Sequence, residues 1–188
     1  MQTISLPVLE AGEYAGGIWY YEPHTYQSYR YVLGRVGKHP LVCIGINPST
    51  AQPGALDPTL KSVERLAAAN GFDSWIMFNV YAQRATRPND MERVCNEALH
   101  RANMEAFDYI LSLSEQPAVW AAWGNIIEQR AYLKDCLADM IAIGERHGAQ
   151  WYTAGRRSVK GHPHHPLYLK ATSPLDAFDI RAYCAECL

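Results

Sequence analysis

Four short apolar runs recur along the chain, each of strand length and two of them cut off by turn-forming residues. Residues 41–46 (LVCIGI) end at Asn47-Pro48, residues 74–80 (SWIMFNV) carry a lone amide near their end, and residues 118–123 (AVWAAW) stop at Gly124. Residues 150–154 make the fourth run. Continuous apolar runs suit strands covered on both faces, as in a parallel sheet. Helical periodicity fills the intervals. Asp57 is placed to cap a helix with Pro58 in its first turn, Leu60, Val63, Leu66 and Ala67 lie on one face, and Gly71 closes it. Pro88-Asn89-Asp90 opens a second helix running to about residue 113, and a third runs to about residue 144. Residues 176–183 read as a short terminal helix. Residues 29–36 (YRYVLGRV) read as an edge strand or hairpin arm, and residues 1–28, aromatic and interrupted by Gly12, Gly16, Gly17 and Pro23, as an N-terminal arm.

Four strands alternating with three helices predict an α/β fold: a three-layer α/β/α arrangement around a four-stranded, mostly parallel sheet. No internal repeat, low-complexity tract or linker divides the 188 residues, so one domain over residues 1–188 is expected. In open sheets of this kind ligands sit beyond the carboxyl ends of the strands.

Composition narrows the function classes. Apolar residues make up 48% and charged residues 19%, which excludes a disordered chain or coiled coil. A net charge of −2 excludes a globally basic nucleic-acid coat but leaves room for a local basic patch. The first twenty residues hold no Lys or Arg and include Glu10 and Glu13, unlike a secretory leader. The apolar stretch at 117–127 is about half the ~20 residues a membrane span needs. A soluble cytoplasmic protein without a membrane partner is expected. Its five cysteines, an odd number, are expected to be reduced thiols. Cys43, Cys95 and Cys136 fall on separate elements, and the Cys184-x-x-Cys187 pair in the tail lacks a second pair, so no structural metal is expected.

The polar residues worth attention cluster after the strands. Asn47, held extended by Pro48, follows Gly45 and precedes Ser49 and Thr50; it suits orienting a water or a ligand edge, or simply starting a loop. Asn79 sits in an apolar run, where its amide needs partners from the backbone or from a ligand such as a nucleobase. Arg84, Thr86 and Arg87 put two guanidiniums and a hydroxyl on one loop, suited to phosphate or to a solvated turn with a helix cap. Trp123-Gly124 permits close backbone approach after the third strand. After the fourth come Arg156, Arg157, Lys160, His162, His164 and His165. Pro163 and Pro166 restrict convergence of the histidines on a zinc ion, so cations facing phosphate, with His165 polarising a ligand oxygen, is the better reading.

The segments 47–50 (NPST), 57–59 (DPT), Asn79 with Arg84-Ala85-Thr86, 122–124 (AWG) and 161–169 (GHPHHPLYL) resemble a bacterial and phage domain-of-unknown-function family. Four sites in the same order also resemble the uracil-DNA glycosylase superfamily. That second resemblance implies a uracil-DNA glycosylase-like fold and a role for each match. Gly45, Asn47 and Pro48 match the water-positioning motif, in its amide form. Asn79 matches the pyrimidine-reading amide. Trp123 and Gly124 match the end of the third strand. His165 and Pro166 match the motif whose histidine stabilises the departing base, although Leu167 and Tyr168 replace its Ser-Pro.

The departures weaken one step in particular. With Asn at 47, a general-base contribution of roughly 10²–10⁴-fold is missing or comes from elsewhere, with Asp57 the nearest carboxylate. Three readings follow: an N-glycosylase acting on a flipped or free base, a hydrolase or transferase of free nucleotides, and a non-catalytic module binding a nucleotide or modified base. The expected partner is a nucleobase or nucleotide, with DNA through a weak local basic patch; no cofactor is implied. Asn47 and His165 are the candidate catalytic residues. Gly45, Pro48, Ser49, Thr50, Asn79, Arg84, Trp123, Gly124, Arg156, Arg157, Lys160 and His162 are the candidate binding residues. His162 and His164 are expected near the surface beside the basic loop.

Overall fold

The computed structural model describes residues 9–188. Eight strands form one sheet: β1 (Ala11–Tyr14), β2 (Gly17–Glu22), β3 (Val32–Arg35), β4 (Pro40–Gly45), β5 (Ser74–Asn79), β6 (Ala118–Ala121), β7 (Gln150–Ala154) and β8 (Leu175–Ala177). Four α-helices accompany them: α1 (Pro58–Ala69), α2 (Glu97–Ser112), α3 (Tyr132–Arg146) and α4 (Ile180–Cys187). The spatial order is β1-β2-β3-β5-β4-β6-β7-β8. The four apolar runs are the parallel centre, β5-β4-β6-β7, and the other strands add antiparallel at both edges.

The sheet is therefore eight-stranded and mixed, where the sequence predicts four strands. Part of the expected N-terminal arm is a β-hairpin; residues 1–8 of that arm lie outside the described residues. The hairpin turns on Ala15 and Gly16, both at positive φ (46° and 73°), the conformation that matches strand twist in two-residue turns. Trp19 and Tyr21 point to one face of the sheet and are buried there. The three residues of β8 are too few to show a period.

Alternation along the central strands builds a core on each face. Leu41, Cys43, Trp75, Met77 and Trp120 pack against Leu60, Val63 and Leu66 of α1. Val42, Ile44, Ile76, Phe78 and Val119 pack against Phe107 and Ile110 of α2 and Leu137 and Met140 of α3. Burying each such side chain stabilises the fold by roughly 1.5–3 kcal/mol. α1 starts as expected: Asp57 Oδ1 accepts from the Leu60 N–H at 2.9 Å, Pro58 follows, and Gly71 (φ 84°) lies just past the end.

The second helix starts later than expected. Residues 88–90 form only a 3₁₀ turn, and α2 begins after Asn96, whose side chain accepts from the Leu99 N–H. Competing tertiary bonds hold the intervening segment. Arg130 donates to the carbonyls of Asn89, Met91 and Glu92, and the Asn96 N–H donates to the Tyr81 hydroxyl. The terminal helix is likewise shifted, to Ile180–Cys187, because Asp179 caps it. Among the described residues no helix is long and apolar enough to cross a membrane.

The chain leaves β4 toward β5 on one side and leaves β6 toward β7 on the other. Loops diverging from neighbouring strands open a crevice at their carboxyl ends.

Candidate functional site

A cavity of about 290 Å³ occupies that crevice. The loop after β4, the end of β5 and the start of α1 supply most of its wall, and His165 and Leu167 reach across it from the loop after β7. Its size lies at the small end of the ~300–1,000 Å³ typical of ligand pockets.

Asn79 ends β5 and is 1% exposed, yet its Nδ2 has no hydrogen-bond partner while the residue lines the cavity. Its backbone is firmly held: the carbonyl accepts from Asn103 Nδ2 at 2.9 Å. The neighbouring Val80 and Tyr81 N–H groups donate to Gly45 and Ile46, prolonging the β4–β5 ladder. Gly45 makes room for this amide, since a Cβ there would lie 2.6 Å from the Met77 methyl and 3.0 Å from Asn79 Oδ1. An unsatisfied buried donor costs about 1–3 kcal/mol, and this one belongs to a residue that lines the cavity.

Asn47 is the opposite case. Its Nδ2 donates to the Pro48 carbonyl at 3.1 Å and to the Ala85 carbonyl at 2.7 Å. Both amide hydrogens are engaged, which fixes the orientation of the group and leaves Oδ1 as a free acceptor on a residue lining the cavity. An acceptor fixed in this way suits holding a water by one of its hydrogens.

His165 has extended backbone ahead of the 3₁₀ turn Pro166–Tyr168, and its Nδ1 accepts from the Leu167 N–H at 3.3 Å. With Nδ1 an acceptor, the neutral ring carries its proton on Nε2 and is a donor there. Burial, and secondarily the neighbouring His164, push its pKa below the usual 6.5, against a weaker pull from Asp57. Gly124 (φ 62°) backs this histidine; its positive φ is the conformation that favours glycine. Asp57 lines the same cavity while capping α1, so the carboxylate absent at 47 has a counterpart on another wall.

Sequence reasoning missed Arg30. It is 2% exposed, lines the cavity, and its Nη1 donates to the Ala51 carbonyl at 3.2 Å. Its Nε is buried without a partner. Burial, and then the nearby Arg84, lower its pKa to about 9, which still leaves it cationic at neutral pH. The signal was a single charge in the apolar segment 29–33 (YRYVL), which reads first as an edge strand's solvent-facing residue.

Other expected residues divide between the cavity and its surroundings. Pro48 and Ser49 line the cavity, whereas Thr50 is exposed outside that lining. Trp123 and Gly124 line an adjoining cavity of about 300 Å³ that shares Ile126 and His165 with the first. Arg84 braces the loop after β4: its Nη1 donates to the Ser49 and Ala51 carbonyls and its guanidinium lies 4.2 Å over the Tyr26 ring. Arg156 and Arg157 are exposed on the loop after β7. Lys160 is paired with Glu128.

The expectation for His162 is corrected. It is 1% exposed, with Nδ1 2.9 Å from the Tyr183 hydroxyl and Nε2 3.2 Å from Glu128 Oε1. The Tyr183 hydroxyl in turn accepts from the Trp123 indole at 2.9 Å. This chain from Trp123 to Glu128 accounts for both ring nitrogens, so His162 ties the 158–165 loop to α4. His164, half-buried, donates from Nδ1 to the His165 carbonyl at 3.1 Å. Among the described residues no three His, Cys, Asp or Glu side chains converge as a metal site would require.

Comparison with curated proteins and with solved structures gives no match. A family match extends over residues 30–167, from Arg30 through every strand-end segment of the cavity to Leu167, and the chain belongs to that family, described as Protein of unknown function (DUF1643).

Proposed function

We propose that this protein recognises a nucleobase or nucleotide in the strand-end cavity and hydrolyses its N-glycosidic bond, in the manner of a uracil-DNA glycosylase-like enzyme. One observation carries the reading: the buried amide of Asn79 lines the cavity with its Nδ2 unpartnered. A side-chain amide presents a donor and an acceptor side by side, and a nucleobase edge presents their complement.

The remaining groups have matching roles. Asn47 Oδ1 accepts a hydrogen bond from the attacking water. That water's oxygen bonds to the sugar carbon as the carbon–nitrogen bond breaks, and the bonding pair leaves on the base. His165 donates from Nε2 to the base oxygen where this charge collects. Such a preorganised donor is worth about 10²–10³ in rate. Asp57 takes the water proton, supplying the base function that an amide at 47 lacks. Support for this reading comes from the order of the four strand-end segments and the shared cavity of Asn47, Asn79 and His165.

The amide at 47 favours a second reading, a non-catalytic nucleotide or modified-base binding module. Pairing of Lys160 with Glu128 leaves fewer free cations for a DNA backbone, which favours free nucleotides over a polymer. Both are separated from the first by incubating the protein with nucleosides, nucleotides, and single- and double-stranded oligonucleotides. Chromatographic release of free base, lost in Asn47→Ala and His165→Ala, supports hydrolysis; ligand binding with no product supports the binding module.

A further inference from the structure

Arg30 has no counterpart in the role just described. Its guanidinium offers five N–H donors. One nitrogen, Nη1, reaches a neutral carbonyl, that of Ala51, and Nε is buried with no partner. No carboxylate lies within ion-pair distance of it among the described residues. Asp57 in the same lining attracts it at longer range, but Arg84, which donates to the same Ala51 carbonyl, repels it more strongly. His165, in the same lining, is held toward its neutral form chiefly by burial and so adds no second positive charge.

A buried cation costs free energy unless it is paired. A bracing role for the 49–51 segment does not account for the charge, because Arg84 already donates to the Ala51 carbonyl at 3.2 Å. What distinguishes Arg30 is its place in the cavity lining, where a ligand can meet it. The first turn of α1 adds Pro58 and Thr59 to the same lining, so the positive end of a twelve-residue helix faces the same space.

We propose that Arg30 makes this cavity a receptor for an oxyanion, so that its ligand is a phosphate- or carboxylate-bearing nucleotide or base and not a neutral nucleoside. The inference rests on the base-recognition reading only for the far end of the ligand, which Asn79 would hold. Guanidinium pairs with both oxyanions through parallel N–H bonds, and the two sources share that chemistry.

Calorimetric titration tests this at low salt. Each nucleoside 5′-monophosphate is compared with its nucleoside, orotate with uracil, and inorganic phosphate is titrated alone. At least one anionic ligand binds about tenfold or more tightly than its neutral partner, and Arg30→Met removes that preference. Preference within the nucleotide pairs, with phosphate competing, identifies a phosphate site; preference for orotate identifies a carboxylate site. Preference of less than about twofold in every wild-type pair overturns the proposal, as does a preference that survives Arg30→Met. If Arg30→Met fails to fold, Arg30→Lys, which keeps the charge and loses the fork, weakens the preference at least about threefold or the proposal fails. Asn79→Ala separates the two ideas. It erases discrimination among bases and leaves the anion preference in place. Unchanged base discrimination in that variant refutes the base reading alone.

Discussion

The Asn47 side chain donates to the Ala85 carbonyl at 2.7 Å, tying the loop after β4 to the loop after β5. The same Nδ2 donates to Pro48, whose carbonyl also accepts from the Ala85 N–H. Asn47 is thus a clamp as well as a cavity residue, with its nitrogen committed to two carbonyls. Asn47→Asp therefore does not restore a glycosylase-like carboxylate in place. It sets a carboxylate against two carbonyls, and we expect urea unfolding to show a loss of about 1–3 kcal/mol at neutral pH. Unchanged stability in this variant contradicts the clamp.

Asn79→Ala is expected to be unusual for a core substitution. The deleted donor is unsatisfied in the free protein and borders open space, so stability changes by no more than about 1 kcal/mol. Ligand affinity falls about tenfold or more. Thermal melting alongside calorimetry measures both; a large loss of stability with intact binding makes Asn79 a structural residue.

His165 links stability to pH. Its folded-state pKa lies below the ordinary 6.5, chiefly through burial. The unfolded chain therefore takes up this proton more readily. The associated stability is fully present above pH about 6.5 and is lost as pH falls through the folded value. Urea unfolding of the wild type and His165→Gln across pH 7 to 5 should show the steeper acid loss in the wild type. Parallel curves contradict a buried, neutral imidazole.

His162→Ala should lower stability and spare ligand affinity. It removes the link between Tyr183 and Glu128 and leaves the Tyr183 hydroxyl short of a partner. We expect a cost of about 1–3 kcal/mol by chemical denaturation. Weakened binding of phosphate-bearing ligands at unchanged stability is the opposite result and returns His162 to the surface role that its basic neighbours suggested.

The parallel centre was legible because its strands are buried on both faces and read as unbroken apolar runs. The strand-end position of Asn47 and Asn79 was legible for the same reason, being where those runs stop. The hairpin of β1 and β2 was not, since its glycines and aromatic residues give a weak alternation and its pairing with β3 is a tertiary fact. The late start of α2 depends on Arg130, some forty residues away, binding carbonyls that a helix would otherwise use. His162, His164 and His165 look alike in sequence; only the partners Tyr183, Glu128 and Leu167 separate a buried tie from a cavity donor. Arg30 escaped notice because nothing in YRYVL tells which face of the strand its side chain takes.

The most direct test of base recognition is a crystal structure of the protein soaked with a panel of free bases and nucleoside monophosphates. The account predicts a base in the strand-end cavity with its edge within hydrogen-bond distance of Asn79 Nδ2, and Asn47 Oδ1 and His165 Nε2 facing the glycosidic side. A base bound elsewhere, or a cavity that stays empty at saturating ligand with Asn79 still unpartnered, contradicts it.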